Sequence, residues 1–335
     1  MTNQTVGNAS SHGVAGFQPV SRARWSTVGQ QLEPLLTAGG LRSQSSERIV
    51  GMWSRDLDVL VPTWQGADDL RVGEGAAALA ALTTPGSRRV TVPVPGGGSA
   101  PAGGVRHRAA VMDAYHAQTE VLARHRPQRL LTLGGDCTVE VASVAHLAGR
   151  YAERLFVLWI DAHGDLNTPA SSPSGTAHGM PLRLLLDGDV DGVLPDAHCL
   201  SPEQVALAGV RDLDPAEAEY VRRHDLTLLD ASTLGVHPAR LAALPPPGAA
   251  VYVHLDLDVL DPSALPAVAV PTPGGLTTAT LTRSLAALRP HHQVVGVGIT
   301  EYVPQLAHDQ QVLNEVLGAL GLTGARPTYR AQCLG

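Results

Sequence analysis

The chain has 335 residues, a formal net charge of −7, 44% hydrophobic residues and 16% charged ones, which is enough apolar material for one large or two ordinary globular domains. All 24 basic residues are arginine; without lysine, Schiff-base and pyridoxal-phosphate catalysis are excluded, and so is a Walker-type phosphate loop. The mild acidity and the lack of a dense basic run argue against phosphate-backbone binding, so no nucleic-acid partner is expected.

Residues 1–46 are polar and weakly periodic, and they read as a loosely attached N-terminal leader. The N-terminus lacks the apolar run of about 7–15 residues that a secretory signal needs, and no stretch of about 18 apolar residues follows elsewhere. A cytoplasmic protein without membrane association is expected. Cys137, Cys199 and Cys333 are odd in number and widely spaced, which fits a reducing compartment and indicates neither a disulfide framework nor a zinc cage.

From Arg48 onward, short apolar runs alternate with amphipathic stretches. RIVGMW is the first run, followed by RLLTLGGD (129–136), LFVLWID (155–161), VALAGV (205–210), LTLLD (226–230), VYVHLDLD (251–258) and VVGVGIT (294–300). Such runs predict parallel strands buried on both faces. Helical patterns fall at about 106–126, 138–150, 178–187, 214–224, 277–289 and 309–321. The alternation predicts an α/β fold with a parallel sheet in a single domain spanning 47–335, and the Pro/Gly-rich segment 85–104 reads as a surface loop.

Open parallel sheets place their binding crevices at the carboxyl ends of their strands, and three strands here end on polar residues. LFVLWIDAHGD sets Asp161, His163 and Asp165 two residues apart, VYVHLDLDVLDP does the same with Asp256 and Asp258, and RLLTLGGDC adds Asp136 and Cys137. Carboxylates so crowded would repel one another unless neutralised, and a pair of divalent cations resolves that. The mixed carboxylate and imidazole donors suit Mn²⁺ better than a thiolate-rich cage would, and five or six donors suit two ions better than one. The chain lacks the G-N-H-[DE] block of calcineurin-like metallophosphatases, and an isolated D-x-D of the kind found in nucleotide-sugar transferases does not account for DAHGD.

LGGDC (133–137), DAHGDLNTP (161–169), SGTAHGM (174–180), GVRDLDP (209–215), DLDVLDP (256–262), PGGLT (273–277) and GITEYVP (298–304) together resemble the ureohydrolase superfamily, the arginases and agmatinases, in order and in approximate spacing. The resemblance spans about 48–325 and implies a three-layer α/β sandwich around a central parallel sheet, a dimanganese centre in which other divalent metals could serve, and hydrolysis of a guanidinium C–N bond. It implies that Asp161 and Asp256 bridge the metals, with Cys137 and Asp165 completing one site and His163 and Asp258 the other. Asp165 would also orient the attacking hydroxide, His178 would shuttle protons, and Glu301 would grip the guanidinium through paired hydrogen bonds. Asn167 and Ser174 match positions for an α-carboxylate, and Asp214 and Glu217 match acids for an α-amino group, although Asp214 also suits the cap of a helix starting at Pro215. Family members are commonly trimers or hexamers, so a homo-oligomer is expected.

The chain departs from the family at GGDC, where the motif is GGDH, so Cys137 stands where a histidine normally binds the first metal. A thiolate there would change the metal's Lewis acidity or select another metal. Val270 and Thr176 replace a threonine and an asparagine in substrate-facing loops. The reading is therefore hydrolysis of arginine or an Nω-modified arginine such as Nω-hydroxyarginine, releasing urea or hydroxyurea and an ornithine-type amino acid. The alternatives are an agmatinase, a guanidino-acid or formimino-amino-acid hydrolase, and a non-catalytic metal- or ligand-binding relative.

Overall fold

A computed structural model describes residues 51–324 apart from residue 190. The expected leader, Cys333 and the first residues of RIVGMW lie outside the described residues.

Eight strands form one sheet: β1 (Leu57–Val61), β2 (Arg89–Thr91), β3 (Leu130–Gly134), β4 (Leu155–Ile160), β5 (Val205–Ala208), β6 (Thr227–Leu229), β7 (Ala250–Asp256) and β8 (Gln293–Thr300). Their order is β2-β1-β3-β8-β7-β4-β5-β6, and every neighbouring pair is parallel. Side chains alternate between two cores. Val251, Val253 and Leu255 of β7 enter one and Ala250 and Tyr252 the other, which explains why the strands read as continuous apolar runs.

Helices α1 (Gly75–Leu82), α2 (Arg108–His125), α3 (Val139–Tyr151), α4 (Pro181–Asp187), α5 (Pro215–Arg223), α6 (Ala231–Val236), α7 (Thr278–Leu288) and α8 (Gln310–Ala319) cover both faces. Leu79 of α1, Leu281 and Leu285 of α7 and Leu313 of α8 fill one core; Leu122 of α2, Leu147 of α3, Leu185 of α4 and Tyr220 of α5 fill the other. The result is the expected three-layer α/β sandwich. No helix among the described residues is long and apolar enough to cross a membrane.

Two expectations are corrected at the start of the chain. Residues 51–55 form no strand, and the first strand is instead LDVLV at Leu57–Val61. Its apolar run is interrupted by Asp58, which is fully buried and paired with Arg55 at 2.6 Å and Arg89 at 3.0 Å. The segment 85–104, expected as a loop, contains the short edge strand β2, from which Arg89 reaches back to Asp58.

The order of the strands locates the crevice. β1–β3 build one flank, the chain then crosses to β4–β6 on the other, and β7 and β8 fill the space between. That reversal is a topological switch point, and the carboxyl ends of β3, β8, β7 and β4 meet there.

Candidate metal centre and substrate cleft

Each of the four central strands ends in chemistry. β4 runs into Asp161, β7 closes on Asp256 with Asp258 in the following turn, β3 leads to Cys137, and β8 leads to Glu301. All five of these side chains are buried. Donor atoms of Cys137, Asp161, His254 and Asp256 lie within 4.8 Å of one another, as do those of Asp161, His163 and Asp258. Five of the six sequence-derived metal residues therefore fall into two groups that share Asp161. The sixth, Asp165, lines the same cleft, and its Oδ2 is buried without a hydrogen-bond partner.

His254 was missed in the sequence although it continues the two-residue spacing of Asp256 and Asp258 backward into the strand. Arg211 was also missed. Its guanidinium donates to the carbonyls of Asp258 at 2.7 Å and Thr272 at 2.6 Å, pinning the Asp258 turn to the loop whose Thr272 Oγ1 meets His163 Nε2 at 3.3 Å. Asp136, by contrast, belongs to neither group of donors. It accepts the Gly66 N–H at 2.9 Å and the Thr138 N–H at 3.0 Å, and so ties two loops together.

The electrostatics show a centre crowded with carboxylates, whose charge, against the effect of burial, raises the pKa values of His163 and His254 beside them. Burial, followed by the charges of Asp258 and Asp161, pushes Asp256 well above the usual carboxylate range, and burial and Asp161 do the same to Asp165. Asp258 is pushed up to about 6 by burial and by Asp161. Burial also works to raise Asp161, yet the imidazoles of His163 and His254 beside it hold it below the usual range. Burial and the neighbouring Asp256 raise the Cys137 thiol, whose Sγ donates to Asp256 Oδ2 at 3.0 Å. Buried carboxylates so crowded, together with an unpartnered carboxylate oxygen, fit a site for divalent cations.

Above the centre, Glu301 has a left-handed backbone (φ 65°) held by its N–H donating to the Gly135 carbonyl at 2.7 Å. Its Oε1 accepts the Cys137 N–H at 3.1 Å and meets His178 Nδ1 at 3.1 Å, while Oε2 is buried with no partner. One oxygen is thus committed and one is open, so the paired grip expected from sequence reduces to a single free acceptor.

The cleft has a volume of about 350 Å³ and runs from Cys137, Asp256 and Asp258 past His178 and Glu301 to a rim that includes Ser174, Thr176 and Val270. Asn167, Asp214 and Glu217 line its flank. Asn167 Nδ2 donates to Asp214 Oδ2 at 2.8 Å. Asp214 caps α5, with Pro215 in its first turn, in a reciprocal box with Glu217, whose Oε2 accepts the Asp214 N–H at 2.8 Å and whose Oε1 accepts the Leu166 N–H at 2.9 Å. Helix capping and cleft lining therefore fall on the same two acids. At the rim, Ser174 Oγ and Thr176 Oγ1 share a hydrogen bond of 2.6 Å.

Residues 75–319 match the family model described as Arginase family. The chain is 33% identical over 201 residues to an arginase of Staphylococcus aureus (strain MRSA252), which covers 57% of this chain and 66% of that one. It is 34% identical over 238 residues to an arginase of Coccidioides posadasii, covering 65% of this chain and 70% of the relative. Among solved structures, the arginase of Bacillus caldovelox superposes with a TM-score of 0.65 at 26% identity, covering 81% of this chain and 100% of that one.

Proposed function

The chain belongs to the arginase family, a family of dinuclear metal enzymes, and we propose that it hydrolyses the guanidinium C–N bond of arginine or an Nω-modified arginine such as Nω-hydroxyarginine. The observation that carries this reading is one cleft with buried, crowded carboxylates at its floor, an open Glu301 oxygen above them, and a paired Asn167–Asp214–Glu217 flank.

Cys137, Asp161, His163, Asp256 and Asp258 would hold the cations, with Asp165 beside them. A divalent pair held there would supply acidification of a water, so that hydroxide would be available at neutral pH. Mn²⁺ is the proposed ion for the His163 side, where imidazole and carboxylates are the donors. Asp165 offers Oδ2 to orient the attacking water, and Glu301 Oε2 accepts a guanidinium N–H and fixes the carbon for attack. His178 is held through Nδ1, which leaves Nε2 to deliver a proton to the departing nitrogen as the C–N bond breaks.

The α-amino group falls to Asp214 and Glu217, and the α-carboxylate to Asn167 and Ser174. A substrate without an α-amino group leaves the half-buried Asp214 and the buried Glu217 without a cationic partner, at a loss of about 1–3 kcal/mol. The same proposal takes 47–335 as one catalytic domain with 1–46 as a leader, in a cytoplasmic homo-oligomer, trimer or hexamer.

The test is a substrate panel on metal-loaded protein with metal content measured on the same sample. Release of urea or hydroxyurea from arginine or Nω-hydroxyarginine supports the reading. Turnover of agmatine, guanidino acids or formimino amino acids alone moves it to those branches, and bound metal with no turnover at all moves it to a non-catalytic relative.

A further inference from the structure

His254 lies in the middle of β7, two residues before Asp256, and is fully buried. Neither ring nitrogen makes a hydrogen bond. Nε2 faces Asp161 Oδ2 at 3.5 Å and Nδ1 faces Glu140 Oε2 at 3.7 Å. The ring lies against Trp159, with centroids 3.8 Å apart and planes tilted by 31°, which packs one face of the imidazole. Trp159 in turn donates Nε1–H to Asp161 Oδ2 at 3.2 Å.

Glu140 completes the chain of contacts. It sits on α3, fully buried, with both carboxylate oxygens unpartnered. The room for it is made by Gly298 on β8, the residue paired with His254 across the sheet, because a Cβ at that position would collide with the Glu140 carboxylate. A buried carboxyl group that makes no hydrogen bond is costly to keep. A carboxylate that receives the Nδ1–H of a histidine has a well-defined task, which is to fix the tautomer and aim the Nε2 lone pair at a metal ion.

We infer that the deeper cation site is built from Cys137, Asp161, His254 and Asp256, with His254 Nε2 as a ligand and Glu140 as the carboxylate that holds it. This rests on the metal-dependent reading above. The four donors lie within 4.8 Å of one another, close to the separation of roughly 3.4–3.8 Å that a tetrahedral set at bond lengths of about 2.0–2.3 Å requires. The imidazole absent at position 137, after β3, is thereby supplied from β7, two strands away in the sheet. One thiolate, one imidazole and two carboxylates form a softer set than Asp161, His163 and Asp258, so the deeper site prefers Zn²⁺ or Co²⁺ to Mn²⁺.

X-ray absorption on the full-length protein loaded with two zinc ions tests this without any substitution. The expected spectrum averages one imidazole per zinc, from His163 and His254, and one sulfur per two zincs. One imidazole per two zincs overturns the His254 assignment. His254→Asn, close in shape, should weaken one of the two zinc sites more than about 10-fold in a chelator competition and shift the thiolate-to-metal absorption of the cobalt form. Glu140→Gln should weaken the same site about 10-fold while leaving that absorption in place. Unchanged affinity in both variants overturns the inference and leaves the metal centre standing. Failure of the unsubstituted protein to take up any divalent metal overturns the centre itself.

Discussion

His178 Nδ1 lies 3.1 Å from Glu301 Oε1, the same oxygen that accepts the Cys137 backbone N–H at 3.1 Å. The imidazole is therefore held by a carboxylate that is itself fixed to the loop after β3. Burial works to lower the His178 pKa, but the charge of Glu301, its hydrogen bond and the charge of Asp136 carry it above the ordinary 6.5. A value raised by folding means that this pair's contribution to stability is complete below pH 6.5 and is lost as pH climbs through the higher folded value. Glu301→Gln should move the His178 midpoint, followed by NMR of the imidazole, to 6.5 or lower. An unmoved midpoint would exclude Glu301 as the cause.

Removing divalent metal should destabilise the protein, because Asp161, Asp165, Asp256 and Asp258 share one buried pocket. An ion present at a hundred times its Kd stabilises by about 2.7 kcal/mol, and Tm should rise by several degrees on its addition. Thermal melts in EDTA and then in Mn²⁺, Co²⁺ or Zn²⁺ measure this directly, and a Tm indifferent to metal would refute the centre.

Asp214→Asn keeps a good helix cap for α5 but removes the charge facing the cleft. KM for an α-amino acid substrate should rise roughly 10- to 100-fold with kcat nearly unchanged, the signature of lost binding to the tail. Equal losses in kcat and kcat/KM would show that Asp214 acts at the reacting centre instead.

Asp58→Ala tests the buried cluster at the sheet edge. Asp58 accepts hydrogen bonds from Arg55, Arg89 and the Gly86 N–H, and its removal leaves the Arg55 guanidinium buried with only backbone carbonyls to meet. A loss of about 3–5 kcal/mol is expected in urea unfolding. A loss under about 1 kcal/mol would mean that Arg55 finds water.

The central strands were legible in the sequence because burial on both faces leaves only one reading for runs such as LFVLWI and VYVHL. β1 was not, because Asp58 looks like a break until its partner Arg89, 31 residues away, is brought beside it. The carboxylates of the candidate metal centre were legible from their two-residue spacing. His254 follows that spacing too, yet a histidine inside an apolar run reads as strand until Trp159 and Glu140 are seen against it. Asp214 and Glu217 illustrate the opposite case, since the same sequence signal serves a helix cap, and only the structure shows that the capping pair also lines the cleft.

The position of β7 and β8 between β3 and β4 has a consequence for how the molecule is made. A nascent chain that has emerged only through β6 holds two separate sheet fragments, each with a raw edge where a central strand belongs. Asp256 arrives with β7 and Glu301 follows β8, so the floor of the cleft and the join between the fragments come into being in the same late step. Until then the edges of β3 and β4 are templates for misassembly, and long-range parallel pairing of this kind is slow. A chain stalled before residue 250 therefore exposes the edges of β3 and β4 while lacking Asp256 and Asp258, the carboxylates that complete the candidate metal centre.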